Sequence, residues 1–308
     1  MLQQTRVETV KAYYERFMKR LPDIDALASA DDEVVLKLWE GLGYYSRAVN
    51  LKKAAVICRE AYGGCLPASY EELLRLPGIG RYTAGAVASM AFGIRAAAVD
   101  GNVMRILARL LADDGDIMKQ SVRTQAEQLL LSVMPEREPG RFNEALMELG
   151  ETICVPSGMP RCESCPVAAL CLAHERGREQ EYPVRITKKE RRIEKLTVFL
   201  LECGGLTAIR RRPAKGLLAG LYELPNVPGH LSREEVLAWL EGQGLRGEIA
   251  EPLGAARHVF SHVEWHMTGW RVRLEKPPSG YQWVEAEELG EAYPIPTAFR
   301  HYRRQWRI

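Results

Sequence analysis

Four cysteines crowd into one short stretch: Cys154, Cys162, Cys165 and Cys171, spaced C-x7-C-x2-C-x5-C. Thiolates held that close repel one another unless a cation lies between them. The remaining three, Cys58, Cys65 and Cys203, are scattered. The chain opens MLQQTRVETVKAYYERFMKR, without the charged start, apolar middle and small-residue cleavage site of a secretory signal. No apolar run approaches the roughly 20 residues of a membrane span. A cytosolic chain with no membrane partner is therefore expected, and in that compartment crowded cysteines bind metal rather than form disulfides. Zinc and an iron–sulfur cluster both suit four thiolates. A zinc ribbon more often pairs two C-x2-C knuckles, and here there is one.

Around this segment the hydrophobic period changes. Up to about Ala169 it is helical: Val7, Val10, Tyr13 and Tyr14 recur at helical spacing, as do Val34, Leu36 and Leu38 with Trp39. Ser69-x-x-Glu72 predicts a capping box opening a helix through Leu76, and Phe142, Ala145, Leu146, Leu149 and Ile153 mark one apolar helical face. After Cys171, HERGREQEYPVRITKKERR is charged and poor in large apolar residues, and reads as a linker. From about Leu196 the period is that of strands. Thr197–Cys203 and Leu206–Arg210 flank a Gly204-Gly205 hairpin signal, and further strand-like segments lie around His258–His262 and Trp270–Leu274. Ser232-x-x-Glu235 opens a helix through Leu240. The 308 residues suit about two domains at roughly 150 residues each. The expectation is a multi-domain chain: an all-α domain over 1–175, a linker over 176–195 and a smaller α+β domain over 196–308. A net charge of +2 neither demands nor excludes nucleic acid, so any case for DNA has to come from local geometry.

One such geometry lies between two predicted helices, at Leu76-Pro77-Gly78-Ile79-Gly80. Gly78 and Gly80 permit positive φ and remove side chains from the turn. Backbone N–H groups at the following helix N-terminus can then face outward as an anion nest suited to a DNA phosphate. That contact would position DNA without reading sequence, and an ordinary helix–helix turn could carry the same residues. The next helix is rich in Ala84, Gly85, Ala86, Ala88 and Ser89, small enough to let a neighbouring helix approach. LPGIGRYTAGAVASMAFG followed by VDGNVMRILAR resembles the helix-hairpin-helix DNA glycosylase superfamily. Within it the chain is similar to the adenine DNA glycosylases that repair adenine paired with 8-oxoguanine. The resemblance runs over nearly the whole chain, with several separate motifs in family order.

The resemblance implies roles that the residues alone do not. Asp100 reads by itself as an N-cap or turn residue, yet it matches the family's catalytic aspartate. Breaking an N-glycosidic bond builds positive charge on the sugar, and fixed electrostatics of this kind are worth about 3–4 kcal/mol in other enzymes. Asn102 would hydrogen-bond near the reacting nucleotide, and Glu144 would line the adenine pocket. Tyr82 stands where bifunctional relatives carry a lysine. A lysine can form a Schiff base with the opened sugar and a tyrosine cannot, which implies base removal without strong lyase chemistry. Gln4, Thr5 and Tyr44 match residues that wedge beside the base opposite adenine. Cys154, Cys162, Cys165 and Cys171 match the ligands of a four-iron four-sulfur (4Fe-4S) cluster that presents basic loop residues such as Arg161 to phosphate. Their first gap is one residue longer than the family pattern, with Gly158 there to absorb it.

The C-terminal half resembles the family's Nudix-like domain. Nudix hydrolysis needs Arg-Glu followed by paired glutamates on one helix to hold magnesium. Arg233, Glu234 and Glu235 followed by Val236-Leu237-Ala238-Trp239-Leu240 do not supply that array, so nucleotide hydrolysis is not expected. Phe260, Ser261 and His262 match the loop that senses 8-oxoguanine, although on their own they read as part of a strand. The implied activity is hydrolysis of the N-glycosidic bond of adenine opposite 8-oxoguanine or guanine in duplex DNA, by a monomer. The family's general acid is a glutamate directly upstream of Met-Leu-Gln-Gln-Thr, and this sequence starts at that methionine. General acid catalysis is worth roughly 10²–10⁴-fold, so the alternative is a lesion-DNA-binding chain that excises adenine slowly or not at all. A lyase-competent pyrimidine glycosylase of the endonuclease III type is disfavoured by Tyr82 and by the extra C-terminal domain.

Overall fold

In a computed structural model of the chain, residues 1–3, 5, 7–186, 190–285, 288 and 292–306 are described. The backbone packs into two units: Met1–Val56 together with Lys189–Ile308, and Ile57–Lys188. Among the described residues no helix is long and apolar enough to cross a membrane.

The first unit begins with helices α1 (Val7–Arg20), α2 (Ile24–Ser29), α3 (Asp32–Leu38) and the start of α4 (Ser46–Ala61). The helical spacing of α1 puts Val10 and Phe17 on one buried face, and Phe17 meets Trp39 edge-on at 6.2 Å. Trp39 is 1% exposed, and its Nε1–H donates to the Gly43 carbonyl at 3.2 Å, so its polar end is satisfied inside the core.

In the second unit, α5 (Tyr70–Arg75) is capped by Ser69, whose Oγ accepts from Glu72 N at 3.3 Å. It is followed by α6 (Arg81–Phe92), α7 (Gly101–Leu111), α8 (Gln120–Val133), α9 (Pro139–Glu148) and α10 (Leu172–Glu175). The predicted apolar face through Ile153 divides between α9 and a π-helical turn, Leu149–Ile153. The small residues of α6 serve two neighbours. A Cβ on Gly85 would lie 2.1 Å from the Ala97 carbonyl oxygen, so the partner there is extended chain and not the helix the sequence suggests. Helix α9 approaches further on, where a Cβ on Gly140 would lie 2.9 Å from Ser89 O.

The strands all belong to the first unit: β1 (Arg192–Cys203), β2 (Leu206–Arg211), β3 (Tyr222–Glu223), β4 (Asn226–Pro228), β5 (Gly247–Val259), β6 (Val263–Leu274) and β7 (Gln282–Val284). The order is β3-β2-β1-β6-β5, with β4 also on β1 and β7 on β2. The sheet is mixed: β1 runs parallel to β6 from Arg192↔Val263 to Glu202↔Arg273, while β5 and β6 are antiparallel. Gly204 and Gly205, at φ 57° and 85°, turn β1 into β2 as a two-residue hairpin demands. Thr197–Leu201 are buried without alternation because both faces are covered. Val198 and Leu200 pack with Trp265, Met267 and Phe299. Phe199 and Leu201 pack with Val236 and Leu240 of α11 (Arg233–Gly242), whose Trp239 stacks on Phe199 at 4.2 Å. The predicted capping box at Ser232 and Glu235 forms in full, which turns Glu235 back onto Ser232 N at 2.7 Å. The strand expected around His258–His262 is corrected: β5 ends at Val259, and Phe260, Ser261 and His262 are the tip of the β5–β6 hairpin.

Candidate functional site

Two sets of predicted residues are assembled, one in each unit. In Ile57–Lys188 the extended chain before α7 is held from two sides. Asn143 of α9, 1% exposed, accepts from Ala98 N (3.1 Å) and donates to Ala96 O (2.9 Å) and Ser89 Oγ (2.8 Å). Gly85 lies against Ala97 on the other side. This delivers Asp100 to the N-terminus of α7 as its cap. Oδ1 accepts from Asn102 N and Val103 N, both at 2.8 Å, and Oδ2 from Asn102 Nδ2 at 3.1 Å. The cap and a catalytic role are compatible, because the three donors fix the orientation of a half-buried carboxylate.

Asn102 passes the contact on. Its Oδ1 accepts from Arg105 Nη2 at 3.0 Å, and Arg105 donates further to Gly150 O (2.7 Å) and Cys154 O (2.8 Å). Gly150 makes room: a Cβ there would sit 2.8 Å from the Cβ of Asn102. Arg105 is 3% exposed, and burial lowers its pKa from the usual arginine value. A continuous line of hydrogen bonds therefore joins Asp100 to the backbone of the first clustered cysteine. Tyr82 of α6 is half-buried with its O–H 3.7 Å from Met147 Sδ. Burial, and secondarily the charge of Asp100, raise its pKa, so it stays a neutral phenol. Glu144 is exposed on α9.

The glycine turn is present, but of its two glycines only Gly78 uses positive φ, since Gly80 has φ −93° and open space for a Cβ. Gly78 has φ 80°, Ile79 N donates to Leu76 O (3.1 Å), and Gly80 starts α6 with no side-chain cap. A helix end without a side-chain cap can take an anion.

All four clustered cysteines line one small cavity, with apolar walls from Ile106, Pro160 and Val167. None of the seven cysteines is in a disulfide. Arg109, 4% exposed, donates to Cys154 Sγ (3.2 Å) and Val155 O (3.0 Å). Cys162, His174 and Glu179 place donor atoms within 4.8 Å of one another, and His174 pairs with Glu179 at 2.6 Å. Burial, then the Glu179 carboxylate, pushes the Cys162 thiol up to about 11. A Cys162 thiolate is thus costly here without a cation and natural with one, and the four convergent cysteines fit a metal centre. Gly158, at φ 77°, occupies the lengthened first gap.

In the first unit an open cleft of about 1090 Å³ is lined by Tyr44, Ser261, His262, Arg211, Arg212 and Lys53, among others. Tyr44 Oη and Ser261 Oγ are 2.8 Å apart. Ser261 and His262 are exposed at the hairpin tip, whereas Phe260 packs edge-on against His258 (4.6 Å) and Trp265 (5.0 Å). Thr5 is half-buried, with N 3.2 Å from Leu2 O. Gln4 lies outside the described residues.

Arg47, Arg105, Arg109 and Asn143 were not singled out from the sequence. For Arg105 and Arg109 a signal existed: two arginines one helical turn apart inside the apolar run Val103–Leu111.

The family described as HhH-GPD superfamily base excision DNA repair protein matches residues 1–131, and the NUDIX domain matches residues 197–305. The chain is 35% identical over 367 residues to the adenine DNA glycosylase of Homo sapiens, covering 99% of this chain and 67% of that protein. It is 31% identical over 274 residues to the adenine DNA glycosylase of Buchnera aphidicola subsp. Acyrthosiphon pisum, covering 89% and 77%. Among solved structures, a non-covalent endonuclease III–DNA complex is similar at a TM-score of 0.50 and 28% identity, over 57% of this chain and 80% of that one.

Proposed function

The chain belongs to the adenine DNA glycosylase family, a family of base-excision repair hydrolases, and on that premise we propose that it removes adenine paired with 8-oxoguanine or guanine from duplex DNA, as a monomer in the cytosol. The glycosylase part is 1–175 with its metal loop, 176–195 is a linker, and 196–308 reads the base opposite adenine. The observation that carries the proposal is Asp100, a carboxylate fixed by three N–H donors, with the phenol of Tyr82 where lyase chemistry needs an amine. As adenine departs, positive charge develops on the sugar, and a carboxylate whose orientation is already set stabilises it without reorganising. Asn102 keeps that carboxylate in place.

Gly78 and Gly80 shape the N-terminus of α6 to accept a backbone phosphate. Glu144 lines the adenine pocket. Gln4, Thr5 and Tyr44 fill the space beside the opposite base. Ser261 and His262 offer hydrogen-bonding groups to the N7–H that 8-oxoguanine has and guanine lacks, with Phe260 as their packed support. Cys154, Cys162, Cys165 and Cys171 hold a 4Fe-4S cluster, which when bound supplies a rigid, charged anchor for the loop that carries Arg161. The comparisons favour this enzymatic reading over that of a DNA-binding remnant.

Single-turnover excision from duplexes with adenine opposite 8-oxoguanine, guanine or thymine tests the proposal. Release of adenine from the first two and not the third is expected. Equal release from all three, or strand cleavage that keeps pace with base loss, would overturn it.

A further inference from the structure

The turn between α3 and α4 has a demanding backbone. Gly41, Gly43 and Tyr44 all have positive φ, at 100°, 71° and 47°. Gly41 has no alternative, since a Cβ there would lie 2.3 Å from Tyr13 Oη. An aromatic residue at positive φ is uncommon and needs its surroundings to hold it. Arg47, in the first turn of α4, does so. Its Nη2 donates to Leu42 O (3.3 Å) and Gly43 O (3.1 Å), while Nη1 donates to Met1 O (3.1 Å) and Gln3 O (2.6 Å). The same guanidinium lies over the rings of Trp39 (5.2 Å) and Tyr44 (5.6 Å). One half-buried side chain thus ties two segments distant in sequence: the one that carries Thr5 and the one that carries Tyr44.

We infer that Arg47 is a positioning residue for reading the base opposite adenine: it ties the Met1 and Gln3 carbonyls and the Tyr44 turn into one rigid platform, and so fixes where Tyr44 meets Ser261 across the cleft. The inference rests on the proposed roles of Tyr44 and Ser261. A planar fork can serve carbonyls in two directions while stacking on rings. A lysine ammonium on a flexible stem cannot, although it carries the same charge. The conservative substitution Arg47→Lys is therefore the informative one.

The test is equilibrium binding of the full chain to duplexes carrying 2′-fluoro-adenine opposite 8-oxoguanine or guanine, at one salt concentration. The fluorine withdraws electrons from the sugar and blocks base loss, so affinity is read without turnover. The readout is the ratio of the two Kd values for the parent chain, Arg47→Lys, Arg47→Met, Tyr44→Ala and Ser261→Ala. A displaced contact can cost up to about 100-fold, and Arg47→Lys is expected to lower the preference for 8-oxoguanine by about tenfold, with the guanine Kd within about twofold of the parent. If Arg47→Met fails to unfold cooperatively, Arg47→Lys still decides the matter. A parental ratio in Arg47→Lys, or an equal rise in both Kd values, overturns the inference and leaves the opposite-base reading standing, provided Tyr44→Ala and Ser261→Ala lower the ratio. If those two leave the ratio unchanged, the reading itself falls, and the role of Arg47 falls with it.

Discussion

Asp100 is the cap of α7 and the proposed catalytic carboxylate, and a single substitution separates the two roles. Asparagine caps a helix about as well as aspartate and keeps an oxygen for the Asn102 and Val103 amides, but it has no charge. Asp100→Asn is expected to slow adenine excision by about 10²–10³-fold, the range found when one fixed electrostatic partner is removed elsewhere. Its stability should stay within about 1 kcal/mol of the parent. Single-turnover excision beside denaturant unfolding separates the two, and retained excision would reduce Asp100 to a cap. Glu264, behind the hairpin tip, shows the same economy in an ion pair. The Arg257 guanidinium (2.6 Å) and then His266 (2.5 Å) hold its carboxyl down to about 2, against an ordinary 4.5. The folded state therefore takes up this proton less readily than the unfolded chain. The stabilisation is complete at neutral pH and fades as pH falls from about 4.5 to about 2. Urea unfolding across that window should show a shallower acid-side loss of stability in Glu264→Gln than in the parent, and parallel slopes would count against the pairing.

At the scale of elements, the extended chain from Ala96 to Ala98 is the piece on which the position of Asp100 depends, and Asn143 is its anchor. Asn143→Ala leaves the Ala98 N–H and the Ala96 carbonyl without their partner in a buried place, while the Ser89 hydroxyl keeps its bond to the Ala86 carbonyl. A loss of about 3 kcal/mol is expected, since each unsatisfied buried polar group costs about 1–3 kcal/mol. Guanidinium unfolding measures it, and a change below about 0.5 kcal/mol, the range of an ordinary surface substitution, would show that the segment is held by other means. This anchor also marks where sequence reading stops. The α5–turn–α6 unit, the Gly204-Gly205 hairpin and the Ser232 capping box were legible because their rules are local: a cap and its partner lie three residues apart, and a glycine sits where φ is positive. Asn143, Arg47 and Arg105 bond backbone carbonyls far along the chain, and a carbonyl has no letter in the sequence. The β5–β6 tip escaped for a related reason. Phe260-Ser261-His262 contains none of the glycine, asparagine or proline that usually announces a turn, so its apolar start reads as strand.

For the whole molecule, the division into two packed units makes the proposed metal centre a local device with a testable boundary. All four clustered cysteines lie in Ile57–Lys188, whereas the strands lie in the other unit. Within its unit the cysteine cluster is tied to α7 by Arg109 at Cys154 Sγ, by Arg105 at the Cys154 carbonyl and by the Arg109 carbonyl, which accepts from Cys171 Sγ. Loss of the proposed metal should therefore free the Cys154–Cys171 loop first and then α7, down to the Asn102 and Val103 amides that bond Asp100. The expected result of chelation under reducing conditions, or of Cys165→Ser, is faster amide hydrogen exchange in that loop and α7, while exchange in β1, β5 and β6 stays at the parental rate. The same change should lower adenine excision more than it lowers the thermal stability of the strand unit, because what loosens is the support of the Asp100 cap. An equal rise in exchange across both units would mean that the thiol centre holds the entire fold together, and the line from Cys154 through Arg105 and Asn102 to Asp100 would then have no separate part in placing the carboxylate.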